Sequence, residues 1–288
     1  MPAPGGSPAT PPSVDPEQTN SIGGKSFFDP STAIKLPDVT DSISRKPAQP
    51  RPPSQPNPPA GQSSIDALPA TISPALRTAA TASDPAAEYE LGARYAEGRG
   101  VPQNLPKAVQ WFERAAKSGF APAQFRLASL YEKGDGLKKD PQAARRLYLA
   151  AAAKGHAKAM YNLAVLYAEG IDGKPDYKVA AEWFRKASGY GVTDSQYNLA
   201  ILYARGIGIQ ANLAESYRWF TLAAASGDTD AAKKRDEVAA QLDQQTLTAA
   251  KLAAQTFVAE HEPEEATSLK APPGGWDQAP AAAAKPRR

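Results

Sequence analysis

Cysteine is absent from the 288-residue chain, which excludes disulfides, thiolate zinc sites and cysteine nucleophiles. Histidine is nearly absent too: His156 and His261 have no companions at ligand spacing, and both read as solvated side chains rather than metal ligands. No apolar run approaches the roughly 20 residues that cross a bilayer. The opening MPAPGGSPATPPS lacks the charged and apolar regions of a secretory leader, so a soluble chain without an export signal of its own is expected. Net charge is small, at +3, and Lys233, Lys234 and Arg235 run straight into Asp236 and Glu237; neither feature singles out nucleic acid. Glu262, Glu264 and Glu265 form a charge run that reads as hydrated surface. No glycine-rich phosphate loop follows a strand, and no serine-nucleophile motif is present. The expectation is therefore no enzyme activity, no cofactor and no metal.

Tyrosine and tryptophan are missing from the start of the chain, where proline is abundant. Seventeen of the 28 prolines fall in residues 1–80, whereas all eleven tyrosines lie between Tyr89 and Tyr217. A Pro-rich, aromatic-poor stretch buries too little apolar surface to offset its ordering entropy. Residues 1–71 accordingly read as a disordered Pro/Ser/Ala-rich tether, and residues 259–288 as a disordered tail.

Between them the chain repeats itself. YNLAVLYAEG (Tyr161 to Gly170) returns 36 residues later as YNLAILYARG (Tyr197 to Gly206). At that offset Leu91, Leu127, Leu163 and Leu199 form one column without a gap, and Tyr95, Tyr131, Tyr167 and Tyr203 a second. Gly98, Gly134, Gly170 and Gly206 follow; then Trp111, Leu147, Trp183 and Trp219 beside Phe112, Tyr148, Phe184 and Phe220; then Ala115, Ala151, Ala187 and Ala223; and finally Gly119, Gly155, Gly191 and Gly227. Self-similarity at this period marks a tandem array of four units.

Each unit reads as two helices. Ala87, Leu91, Arg94 and Tyr95 share one helical stripe, and the Arg94 column becomes Leu130, Leu166 and Leu202 in the later units. The glycine column suits a left-handed helix stop, and Asn104, Asp140, Asp176 and Asn212 are placed to cap the second helix. The third loop, GIDGKPD, departs from the glycine pattern of the others. The expected fold is all-α, a right-handed α-solenoid of four 36-residue helix-turn-helix repeats at 85–120, 121–156, 157–192 and 193–228. A capping helix at 72–84 and capping helices at 229–258, with Asp243 as a cap, close its ends.

The segments LGARYAEGRGV and AVQWFERAAKSG, with their three echoes, resemble Sel1-like repeats, relatives of the tetratricopeptide repeat. That resemblance implies an adaptor or scaffold for protein complexes, in several cases in bacterial envelope signalling. A cysteine-rich branch linked to β-lactam binding does not transfer to a cysteine-free chain. The Pro-rich start, the array, AAKKRDEVAAQLD and KAPPGGWD together resemble the C-terminal region of PodJ-type polar localisation factors, which implies a periplasmic setting when a membrane-anchored parent carries it.

The candidate partner-binding residues are those pointing away from the Leu91 stripe: Glu90, Arg126, Asn162 and Asn198, with Glu97, Lys133, Glu169 and Arg205. On a concave first-helix face they would form a polar stripe whose asparagine amides hold a partner's backbone. The second column alternates in sign, so mutual pairing between repeats is the competing reading. Tyr89, Phe125, Tyr161 and Tyr197 are expected to pack repeat against repeat. Function is thus expected to be protein or peptide docking, the alternative being a peptidoglycan-binding module acting through the tail and Trp276.

Overall fold

Alternating helix pairs, each closed by the same turn, account for nearly all of the structure. The computed structural model describes residues 68–273 and 275–277; of the expected tether and tail, 1–67 and 278–288 lie outside the described residues. Among the described residues every regular element is a helix. A short α1 (Pro74–Thr81) precedes four hairpins: α2 (Pro85–Glu97) with α3 (Leu105–Lys117), α4 (Ala121–Lys133) with α5 (Pro141–Ala152), α6 (Ala157–Glu169) with α7 (Tyr177–Gly189), and α8 (Thr193–Arg205) with α9 (Leu213–Ala225). Three more follow: α10 (Thr229–Ala239), α11 (Gln244–Gln255) and the single-turn α12 (Glu264–Thr267). Each hairpin packs its two helices together, and its second helix then packs on the first helix of the next, so contacts pass from neighbour to neighbour as in a solenoid.

Local chemistry sets the helix ends. Asn104, Asp140, Asp176 and Asn212 each accept a hydrogen bond from the backbone N–H three residues on, starting the second helix of each hairpin. Gly98, Gly134, Gly170 and Gly206 stop the first helices in the left-handed conformation. One further bond closes every loop: the N–H of the capping residue donates to the carbonyl of the Tyr column, at 2.8 to 2.9 Å from Asn104 to Tyr95 through Asn212 to Tyr203. The third loop keeps that bond, from Asp176 to Tyr167 at 2.8 Å, although its second positive-φ glycine is Gly173, one place later than in the others.

The core follows the columns. Leu91, Leu163 and Leu199 are fully buried, as are Phe184, Phe220 and Tyr148. The Tyr89 column packs chiefly within its own hairpin rather than between repeats: Tyr89 on Phe112, Phe125 on Tyr148, Tyr161 on Phe184 and Tyr197 on Phe220, with ring centroids 5.4 to 6.0 Å apart. Polar staples join repeats: Gln124 donates to the Ala116 carbonyl, and Gln196 to that of Ser188. In the first repeat the same column holds Glu88, 2% exposed, paired with Arg114 at 2.8 Å. Burial raises its pKa, and Arg114 opposes that shift.

Two boundaries differ from the sequence reading. Leu68 and Ile72 are buried in the N-terminal core, so the ordered part begins before residue 72. More consequentially, residues 259–273 and 275–277, read as the start of a disordered tail, include several that lie against the array. Each contact is small, but they recur along the repeats, which composition does not reveal.

Gly208 illustrates how tightly turns meet neighbouring hairpins. It has φ +68, and a Cβ there would stand 2.3 Å from the Tyr177 carbonyl carbon, backbone against backbone. Gly208→Ala is expected to destabilise by about 2–4 kcal/mol, combining left-handed strain with overlap. Gly100→Ala, at φ +74 in open space, is expected to cost only the strain, about 1–2 kcal/mol. Urea midpoints of the two variants measure the difference.

Candidate protein-docking site

The stripe anticipated from the sequence divides in two. Asn162 is 8% exposed and Asn198 fully buried, so their amides do not face a partner. Asn162 donates to the Tyr148 hydroxyl of the preceding hairpin at 2.8 Å, and that hydroxyl donates to Glu132 at 2.6 Å. The preceding hairpin in the stack meets this position, which a single helix pattern cannot show. Glu90 lies 2.8 Å from both Arg94 and Arg99, and Glu97 pairs with Arg99 at 2.9 Å and with Arg126 of the next repeat at 3.7 Å. Repeats one and two therefore neutralise one another along this stripe. Lys133 and Arg205 are partly buried in the equivalent positions, and Glu169 is exposed. No continuous open polar groove joins the eight residues.

What the array does present is an edge where the second helix of one hairpin turns into the first helix of the next. Gly155 and Gly191 sit in these turns at φ +87 and +81. The described part of the tail runs along this edge, opposite in direction to the order of the repeats. Phe257 stacks edge-on against Trp219 at 5.7 Å. The Glu260 N–H donates to the Gly189 carbonyl at 2.9 Å, and Ala259 approaches Gly191. Pro263 lies so close to Gly155 that a Cβ there would be 2.6 Å from its ring. The Glu262 carboxylate lies by the Ala157 N–H at the start of α6, where the helix dipole favours an anion, with Lys158 nearby. Burial nevertheless raises its pKa, and its Oε2 is buried without a hydrogen-bond partner.

Farther on, α12 packs on α4 and buries Ala266. Trp276 packs against the N-terminal core, and its carbonyl accepts the Ser73 hydroxyl at 2.6 Å. Asp277 pairs with Arg94 at 2.8 Å; the Arg94 side chain is 6% exposed and that of Asp277 68%. Ser73, Arg94 and Glu262 were outside the sequence-derived site, and Trp276 was singled out only for the wall-binding alternative. Arg94 carried a signal as an arginine in a column of leucines.

A cavity of about 410 Å³ remains between the tail and the array, bounded by Tyr89, Phe125, Arg126, His156, Glu262 and Leu269. His156 is not the solvated side chain its sequence context suggested. It is 7% exposed, stacks on Phe125 at 4.5 Å, and caps α6 by accepting the Ala159 N–H at Nδ1. Burial lowers its pKa to about 4, so the ring is neutral. His261 is exposed. Among the described residues no group of three or more His, Asp or Glu side chains could hold a metal ion, and no helix is long and apolar enough to cross a membrane.

The Sel1 repeat family matches residues 85–120, 121–156, 157–188 and 193–228. A solved Sel1 repeat protein from Oxalobacter formigenes is 30% identical, covering 64% of this chain and 78% of that one, with a TM-score of 0.54. A protective antigen of uropathogenic Escherichia coli strains with an SLR fold is 22% identical over 66% of this chain and 56% of that one, with a TM-score of 0.33. A comparison with curated proteins found no match.

Two outcomes are expected from these contacts. Tyr148→Phe restores the residue type of its column yet strands Asn162 and Glu132, and should cost about 1–3 kcal/mol. With Asn162→Ala the double variant should lose less than the sum of the singles, because both break one network; chemical denaturation of the four-member cycle measures this. His156 has a folded-state pKa lowered from 6.5 to about 4, so between those values the unfolded state binds the extra proton. Its contribution is intact above pH 6.5 and falls as pH drops towards 4, by on the order of 3 kcal/mol in all. Unfolding free energies measured across that range should lose this slope in His156→Asn, which keeps a capping side chain.

Proposed function

This chain belongs to the Sel1 repeat family, and on that premise we propose that it is a non-catalytic scaffold whose repeat edge docks a protein or peptide partner. Sel1 repeat proteins generally mediate protein–protein interaction, and their fold is typically a non-catalytic interaction scaffold. One observation carries the reading for this chain: its inter-repeat edge holds a length of polypeptide. It does so with a backbone hydrogen bond at Gly189, a carboxylate on the α6 N-terminus and an Arg94–Asp277 pair. Those are the means by which peptide-recognition surfaces take extended segments.

We place this docking in bacterial envelope organisation or polar localisation, in the periplasm, on the likeness of the array and its KAPPGGWD tail to PodJ-type factors. The competing reading, a peptidoglycan-binding module acting through Trp276, requires an exposed aromatic platform. Trp276 instead packs against the N-terminal core, which favours a protein partner.

Photo-crosslinking in the cells that make the protein tests the proposal. A photoreactive residue replaces Lys158 or Glu169 on the first-helix side, or Glu182 or Arg185 on the second-helix side, all exposed. The expected result is a discrete adduct with a recurring protein from the first pair and none from the second. Absence of adducts at all four positions, or adducts to wall glycan instead of protein, overturns it.

A further inference from the structure

We propose that Ser73, Arg94 and the adjoining N-terminal core form the anchoring socket of a peptide track along the inter-repeat edge. Its external ligand is an extended acidic partner segment bearing an aromatic–Asp pair, and residues 259–277 occupy the track in cis until that partner displaces them. This rests on the docking function proposed above and names its ligand chemistry and its control.

The socket departs from its own repeat pattern in the way a ligand requires. Leu130, Leu166 and Leu202 stand where Arg94 does. A buried guanidinium is costly to desolvate unless carboxylates match it. Glu90 supplies one, already shared with Arg99, and Asp277 from the far end of the chain supplies the other. The space for Trp276 arises because α1 has 8 residues where α3 has 13, leaving the first hairpin without a full neighbouring helix.

Charge is complementary along the track. The segment carries Glu260, Glu262, Glu264, Glu265 and Asp277 against a single Lys270; the array meets it with Lys158 and Arg94, and Arg126, paired with Glu97, lines the cavity beside it. The glycine turns set the spacing, admitting Ala259 at Gly191 and Pro263 at Gly155.

The segment is nonetheless held as an occupant rather than as core. It leaves a cavity of about 410 Å³ open beside Leu269, and Glu262 Oε2 without a partner. Asp277 stays largely in water, and Val258 and Leu269 are exposed. Few buried apolar contacts mean a low free energy of local opening. The tether raises the segment's effective concentration, so a partner competes only by matching the same anchors or by filling the cavity.

The probe is a fluorescein-labelled synthetic peptide with the sequence of residues 257–279, titrated into the full chain. The native chain should bind it weakly, and full-length Trp276→Ala/Asp277→Ala, whose own segment is unanchored, about tenfold or more tighter. Adding Arg94→Leu to that variant, or making the Trp-to-Ala and Asp-to-Ala changes in the peptide, should reverse the gain. Trypsin should also cut after Lys270 faster in the unanchored variant. Equal binding to native and unanchored chains overturns the proposal, as does no binding by an unanchored chain of native helicity. A native dimer that Trp276→Ala/Asp277→Ala converts to monomer also overturns it, because the occupant would then be a second copy.

Should that variant lose helicity, Arg94→Leu alone carries the test, since leucine fills this column in the other repeats. Cleavage after Lys270 at the native rate then sinks the idea. Crosslinks retained in cells alongside a failed peptide assay remove the socket and leave the scaffold; lost crosslinks remove the scaffold itself.

Discussion

A pair of helices of 12 or 13 residues cannot bury both of its apolar sides alone, and the rest of this structure follows from that constraint. Phe184 and Phe220 are covered on one side by the Tyr161 and Tyr197 rings of their own hairpins. The other side of each hairpin is closed by the next hairpin in line, so stability is shared between neighbours rather than gathered in one centre. Stacking in turn requires turns that approach their neighbours closely. That is why the loop-closing bond to the Tyr column recurs in all four repeats, including the one whose loop sequence differs.

A stack has two ends, and an end is a hairpin face without a neighbour. At the C-terminal end α10 and α11 both pack on α9. At the N-terminal end α1 is too short to do the same for α2, and Leu68, Ile72 and Trp276 complete the core there. The segment leading to Trp276 thereby links both ends of the array. It crosses the edge where glycine turns and helix N-termini leave backbone groups accessible. The edge that holds this segment therefore also joins the two hairpin faces that lack a neighbour.

Arg94 and Asn162 show where reading a single helix succeeds and where it stops. Arg94 breaks a leucine column, a departure visible in the sequence, although nothing there said what would neutralise it. Asn162 looked like an open amide because helical spacing set it away from Leu163. Spacing assigns a residue to a side of its own helix but does not say what lies against that side. Tyr148, 14 residues earlier, lies against it. His156 was misread for the same reason: a turn position suggests water, whereas Phe125 and the tail enclose it. Residues 259–277 are the clearest instance, since a polar, Pro-rich composition forecasts disorder only when no complementary surface awaits it.

The sequence by itself determined the helices, their caps, the period and hence the solenoid, because all of these depend on residues within one repeat or on its immediate copy. The family follows from the same columns. Tertiary structure alone decided which polar residues stayed open, how Arg94 is neutralised and where the tail runs. Those outcomes depend on pairs such as Arg94 with Asp277 or Ser73 with Trp276, 183 and 203 residues apart. No local periodicity encodes such pairs; they form only once the stacked turns bring a cation, a hydroxyl and an unfilled hairpin face to one edge.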